Sequence, residues 1–308
     1  MKYSSSFFVF FLIVSACETI VDIDIPSGPP SIVVNCTLAD DEFIAVILSE
    51  SQHILDIGDD VRTISGATVE IYENGSLLTI LKDYVDGTYK SENYMPKSGK
   101  SYQIKVNKLG FETATSEVLM PLDTAVILDV QVDSVQINDF GSILNYVRFN
   151  LDFKDDGRIK NYYEITMLNE YYEYQYDWST SPPVVVDSSY RTDLVYLEFT
   201  NPILEEFQTY GQNVVFNDEL FNGKKYSMSF LFNHNQYWQN DELIAYSPFK
   251  FTVQMNNTSK SYYQYELSSQ LQQWTTGDPF AQPVTVYNNI ENGFGIFGAY
   301  NTAVFKVE

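Results

Sequence analysis

Cysteine and histidine are nearly missing from these 308 residues: Cys17, Cys36, His53 and His234 are all there are. Neither histidine has a second histidine or a cysteine at metal-ligand spacing, so a zinc or transition-metal centre has little to draw on. No P-loop, dinucleotide-binding glycine pattern or G-x-S-x-G elbow occurs. Positive charge is also scarce. Only 18 Lys and Arg stand against 41 Asp and Glu, for a formal net charge of −23. Such a surface repels phosphate and gains nothing from counterion release, which argues against nucleic acid as a partner. Anionic lipid headgroups repel it as well, so any hold on a membrane has to come from a lipid. The apolar run Phe7 to Val14 falls far short of the roughly 20 residues a helix needs to cross a bilayer.

That run belongs to an export signal. Lys2 supplies the positive n-region, Phe7–Val14 the h-region, and Val14-Ser15-Ala16-Cys17 closes the segment, so residues 1–16 read as a signal peptide. Small residues directly before a cysteine resemble the bacterial lipobox. There the thiol takes a diacylglyceryl group, the chain is cut before it, and the new amine receives a palmitate-type acyl chain. Two or more chains anchor stably where one does not. The alternative is an ordinary signal peptide with a chance cysteine near its cut site. On the lipoprotein reading the mature chain starts at Cys17. Residues 17–30 then form an acidic tether ending in Ser27-Gly28-Pro29-Pro30. Once Cys17 is lipidated, Cys36 has no partner for an intramolecular disulfide. Cys36 shares one strand face with Ile32, Val34 and Leu38, as a buried thiol packed like a small hydrophobe would. A catalytic nucleophile is the other reading of it.

Tyr (24) and Phe (21), with many Thr, Val and Ile, favour strands over helices. From Ile32 the pattern has period two. Ala67, Val69 and Ile71 alternate with polar residues, Asn74-Gly75 signals a hairpin, and Tyr102, Ile104 and Val106 alternate again. Short strands at close spacing predict a small antiparallel sandwich over residues 31–121, ending at Met120-Pro121-Leu122-Asp123. Residues 122–308 predict a second β-rich domain with one or two short helices. Phe149, Leu151 and Phe153 lie on one face of one strand. Lys154-Asp155-Asp156-Gly157-Arg158 reads as a polar turn, and further strands fall near Tyr162–Met167, Asp193–Phe199, Tyr226–Asn233 and Phe249–Met255. A helix is predicted over Ser259–Trp274, capped by Ser259, with Tyr263, Leu267, Leu271 and Trp274 as its packing stripe. Gly293, Gly295 and Gly298 suggest close backbone approach or a tight terminal hairpin.

Candidate chemistry is thin. Facing carboxylates of glycosidase type need no sequence proximity, so a surface hydrolase is one alternative; solvated surface acid is the plainer one. No metal site is predicted, although Asp22/Asp24, Asp40-Asp41-Glu42, Asp59-Asp60 or Asp155-Asp156 could offer loop oxygens to Ca²⁺. The distinctive feature is aromatic. Tyr172, Tyr174, Tyr176 and Trp178 line one face of a strand, as a protein interface, a ligand platform or the wall of a sandwich would.

Several segments resemble the DUF4249 lipoproteins of Bacteroidetes. They are the opening Cys17-Glu18-Thr19-Ile20-Val21-Asp22-Ile23-Asp24, the strands Ile32-Val33-Val34, Val46-Ile47-Leu48-Ser49 and Ser65-Gly66-Ala67-Thr68-Val69, the segment Asp218-Glu219-Leu220-Phe221-Asn222-Gly223-Lys224, and the closing run from Asn288 to Gly298. The resemblance implies an outer-membrane lipoprotein without established enzymatic activity, often encoded beside a TonB-dependent β-barrel transporter. It transfers only the lipidated Cys17. Residues 65–120 also look like the small transthyretin-like or Ig-like domains of secreted proteins from that phylum, a likeness of fold alone. Asp123-Thr124-Ala125 and Asp133-Ser134-Val135 resemble that phylum's O-glycosylation acceptor pattern, which makes Thr124 and Ser134 candidate acceptors. The expectation is a non-enzymatic, cofactor-free, lipid-anchored outer-membrane protein, facing outward as accessory to a TonB-dependent barrel. The alternatives are a subunit of an envelope-assembly complex and the hydrolase.

Overall fold

The computed structural model describes residues 28–53, 61–121, 125–139, 141–199, 201–204, 206–208, 210–233, 250–278 and 280–307. The first strands are β1 (Ile32–Ala39), β2 (Ala45–Glu50), β3 (Thr68–Glu73), β4 (Ser76–Ile80), β5 (Lys82–Asp83), β6 (Thr88–Lys90), β7 (Ser101–Asn107) and β8 (Ala114–Leu119). Next come β9 (Val126–Asp139), β10 (Ser142–Lys154), β11 (Tyr162–Asp177), β12 (Val184–Leu194), β13 (Leu197–Phe199), β14 (Tyr210–Gly211), β15 (Asn213–Asn217), β16 (Lys225–Asn233) and β17 (Lys250–Thr258). Helix α1 (Lys260–Thr275) and β18 (Gly293–Lys306) close the chain. The fold is mainly β, as the composition predicts.

Period-two patterning holds wherever one face is buried. Ile32, Val34, Cys36 and Leu38 on β1 and Tyr102, Ile104 and Val106 on β7 all point inward. Asn74 and Gly75 both adopt positive φ between β3 and β4, the backbone a two-residue hairpin turn requires. Ser259 caps α1, its Oγ accepting the Tyr262 N–H at 3.3 Å.

Two hydrophobic clusters share one long sheet. That sheet runs β12-β11-β17-β18-β1-β2-β6-β5, with β15 paired to the start of β11 on the same edge as β12. Against one part of it the sheet β4-β3-β7-β8 encloses a core of Val34, Val46, Tyr89, Ile104 and Phe297. Against the other part β14-β13-β16-β10-β9 encloses Phe149, Phe153, Ile165, Phe230 and Met255. Strand β18 serves both. Ile290, Phe297 and Ala299 pack in the first cluster while Ala303 and Phe305 pack on the second, so the two cores do not divide along the chain at residue 121.

The glycine-rich end is therefore no terminal hairpin. It is one continuous strand, parallel to β1 from Ile32↔Gly293 to Ala39↔Tyr300 and antiparallel to β17 from Thr258↔Tyr300 to Thr252↔Lys306. Close approach is what the glycines provide. Gly295 has φ +109, and any Cβ there would collide with the Val34 carbonyl. At Gly298 the added carbon would crowd the Tyr262 side chain, so α1 settles directly on the outer face of the sheet.

The turn at 154–158 also departs from expectation, because Asp155 is buried rather than solvated. Its Oδ1 accepts from Tyr163 Oη at 2.6 Å and Asn161 Nδ2 at 3.1 Å, and its Oδ2 accepts the Gly223 N–H at 2.6 Å. Buried Asp218 accepts the Asn161 N–H at 2.8 Å. The segments 155–163 and 218–224 are thereby joined, and Gly157 lies so near Gly223 that a Cβ on it would stand 2.7 Å from the Gly223 Cα.

Candidate recognition surface

Among the described residues strand β11 outruns its neighbour: β17 pairs with it as far as Glu170↔Lys250, and from there to Asp177 β11 pairs with β12. Among the described residues, 171–177 and 184–191 thus form a two-stranded ribbon at the edge of the long sheet. An isolated two-stranded ribbon is marginal in water, so its side chains must hold it.

They divide cleanly by face. Odd positions carry the core side: Tyr171 Oη donates to Asp193 Oδ2 at 2.6 Å, and Arg191 pairs with Glu173 at 2.9 Å. Even positions carry the aromatic side, outward on the same face as α1. Tyr172 meets Tyr190 edge-on at 5.3 Å and stacks on Tyr174 at 6.4 Å, and Tyr176 lies 5.7 Å from Trp178. Such pairs add about 0.5–1.5 kcal/mol beyond their buried area. A bulge after Gln175 brings Val185 opposite Tyr176. The face is open nonetheless: Trp178 is 66% exposed and Tyr172 46%, while Tyr174 and Tyr176 are half-buried. The phenol of Tyr190 is pushed above its ordinary range by its surroundings and then by its hydrogen bond to Glu170.

All four aromatic residues singled out in the sequence lie together, and β12 adds Tyr190, Val185 and Leu194, which the sequence analysis did not pick out. The signal was available in Val184-Val185-Val186 and Tyr190, directly after Pro182-Pro183. A second ribbon leaves the same end. β9 and β10 pair on as far as Ser142↔Asp139, past the last described β16 pair, Tyr146↔Asn233. Arg148 and Asp133 form an ion pair beside its base.

The remaining candidates lie apart from this surface. Cys17 and Thr124 are outside the described residues, as are Asp22, Asp24, Asp59 and Asp60. Ser134 sits exposed on β9 rather than in a loop. Cys36 is buried, and burial pushes its thiol far above the usual range. Asp41 and Glu42 are exposed in the turn after β1. Among the described residues no three His, Cys, Asp or Glu come together as a metal site.

A carboxylate pair does exist beneath α1, between Glu164 of β11 and Glu266 of the helix. Glu164 Oε1 accepts from Asn213 Nδ2 and Tyr262 Oη, both at 2.9 Å, and Oε2 accepts from Asn256 Nδ2 at 2.8 Å. Burial, then the charge of Glu164, pushes the Glu266 carboxyl up to about 7. Chemically the pair could share a proton, but Glu164 is buried and both its oxygens already have donors. The helix stripe is only partly a packing surface: Tyr263 meets Tyr162 at 4.9 Å, whereas Trp274 is exposed.

A family model for a domain of unknown function, DUF4249, matches residues 18–306. The chain belongs to the DUF4249 family. A search of curated proteins finds no match. Within this DUF4249 chain, the segment Asp218–Lys224 and the 288–298 run are structural: the first closes the Asp155 hub and the second pairs with β1 and packs Ile290 and Phe297 into the first core.

Proposed function

We propose that this DUF4249 chain is a lipid-anchored outer-membrane protein of a Bacteroidetes cell, facing outward and lacking enzymatic activity. It acts as accessory to a TonB-dependent β-barrel transporter and makes contact through the β11–β12 ribbon. The observation that carries this reading is the open aromatic face of the ribbon, where Tyr172, Tyr190 and Trp178 are exposed and Tyr174 is half-buried. Apolar patches of this kind mark interaction sites on soluble surfaces, and Tyr and Trp dominate binding where they occur.

The layout of the chain supports the reading. Ile32, where the tether enters the fold, pairs with Gly293 at one end of β18, and the ribbon leaves beyond Lys306 at the other. The 14 residues of β18 alone span about 45 Å. A tether over residues 17–30 reaches about 50 Å when fully extended. The point where the tether joins the fold and the ribbon thus lie at opposite ends of β18.

Affinity purification through this chain from native membranes tests the proposal. Recovery of a TonB-dependent barrel supports it. Recovery of envelope-assembly components instead points to the subunit reading, and recovery of neither defeats both and returns attention to a surface hydrolase.

A further inference from the structure

We infer that the ribbon takes an extended, cationic segment of its partner, added as a further strand along the outer edge of β12. The inference rests on the proposal that the ribbon is the contact surface. β12 ends the long sheet: β11 pairs with one of its edges, and no strand among the described residues pairs with the other. Its eleven residues, VVVDSSYRTDL, include neither proline nor lysine, two of the usual devices that stop an edge from recruiting another chain. Nearly all of the strand is exposed. An incoming strand would satisfy the outward N–H and C=O groups of β12, which gives affinity, while alternate side chains would read the two faces.

Charge selects the occupant. Between Leu168 and Leu194 lie Glu170, Glu173, Asp177, Asp187 and Asp193 against the single cation Arg191, and Arg191 already pairs with Glu173. A second copy of this chain, with its net charge of −23, is repelled from that edge. A strand bearing Lys or Arg is attracted, and its cations would lie on the face that carries Glu173, Asp187 and Asp193. Apolar residues alternating with those cations fall on the opposite face and would cover Val185, Tyr190 and Leu194 beside Tyr172 and Trp178. The partner segment is therefore an alternating basic and apolar strand.

The test uses the full mature chain in detergent and three synthetic peptides: Lys-Ile-Lys-Ile-Lys-Ile-Lys, its Glu-for-Lys counterpart, and the lysine peptide N-methylated at alternate residues. Calorimetric titration should give the lysine peptide at least roughly tenfold tighter binding than the glutamate peptide. N-methylation, or Tyr172→Ala with Trp178→Ala, should each weaken it by about tenfold. Lysine-peptide binding indifferent to both changes would mean diffuse charge attraction and overturn the inference, as would no binding at all. The same double variant, used as bait in native membranes, keeps the two claims apart. If the unaltered chain recovers the barrel and the variant recovers it equally, strand addition at β12 fails while the barrel association stands. If the unaltered chain recovers no barrel, the association fails whatever the peptides do.

Discussion

Tyr163 donates its phenolic proton to Asp155 Oδ1 across 2.6 Å inside the second sandwich, and the same carboxylate holds the Gly223 N–H through Oδ2. Burial, and next this carboxylate, push the Tyr163 phenol well above its ordinary range. The two loops meet with almost no room between Gly157 and Gly223. What looks in sequence like a charged turn works as an internal clamp. Asp155→Ala leaves the buried Tyr163 phenol without its acceptor, worth about 1–3 kcal/mol, and frees the Gly223 N–H, while Asn161 Nδ2 still donates to the Asp156 and Ile159 carbonyls. The variant should lose about 1–3 kcal/mol in urea unfolding, and Tyr163→Phe less. An Asp155→Ala chain as stable as the parent would show that the clamp carries no stability.

The Glu164–Glu266 pair sets a pH dependence with a definite sign. The Glu266 carboxyl titrates near 7 in the fold against 4.5 as a free side chain, so the folded chain binds more protons between those values. Its contribution is fully present below about pH 4.5 and is lost as pH rises through 7, by at most about 3 kcal/mol. Glu266→Gln should remove that slope. Unfolding of parent and variant at pH 4.5 and pH 8 should show nearly equal stability at the lower pH and a more stable variant at the higher. Parallel profiles would count against a buried, coupled acid.

Exposure on the ribbon and burial in the core predict opposite outcomes for aromatic removal. Tyr174→Ala with Trp178→Ala should move the thermal midpoint little. Phe230→Ala should cost about 3–5 kcal/mol, since Phe230 is fully buried, stacks on Phe149 at 5.4 Å and meets Phe199 at 5.7 Å. Comparable losses from both would mean that the ribbon is part of the folded core.

Lipidation at Cys17 is checked by fractionation. Cys17→Ala should leave the chain soluble or unprocessed, and the parent should carry the added mass of a diacylglyceryl group and an acyl chain. A variant that still sediments with the outer membrane at the parent's mass would remove the anchor from the proposal. In the lipid-free chain Cys36 should resist thiol reagents until unfolding, because its thiol is buried.

The chain's local pattern was sufficient for its strands. Alternation at Ile32–Leu38, Val69–Ile71 and Tyr102–Val106 could be read directly because one face of each strand meets a core and the other meets water. The Asn74-Gly75 turn and the Ser259 cap were legible for a similar reason, since each depends on residues a few positions apart. The aromatic stripe was legible as a stripe, because period two puts Tyr172, Tyr174 and Tyr176 on one side wherever the strand goes. Only the tertiary structure decided which way that side faces. It depends on how β17 pairs with β11, between residues some eighty positions apart. The parallel pairing of β1 with β18 joins Ile32 to Gly293 across nearly the whole chain, and the Asp155 hub joins residues more than sixty positions apart. Such contacts leave little trace in periodicity, because a strand's pattern records that a face is buried and not what buries it.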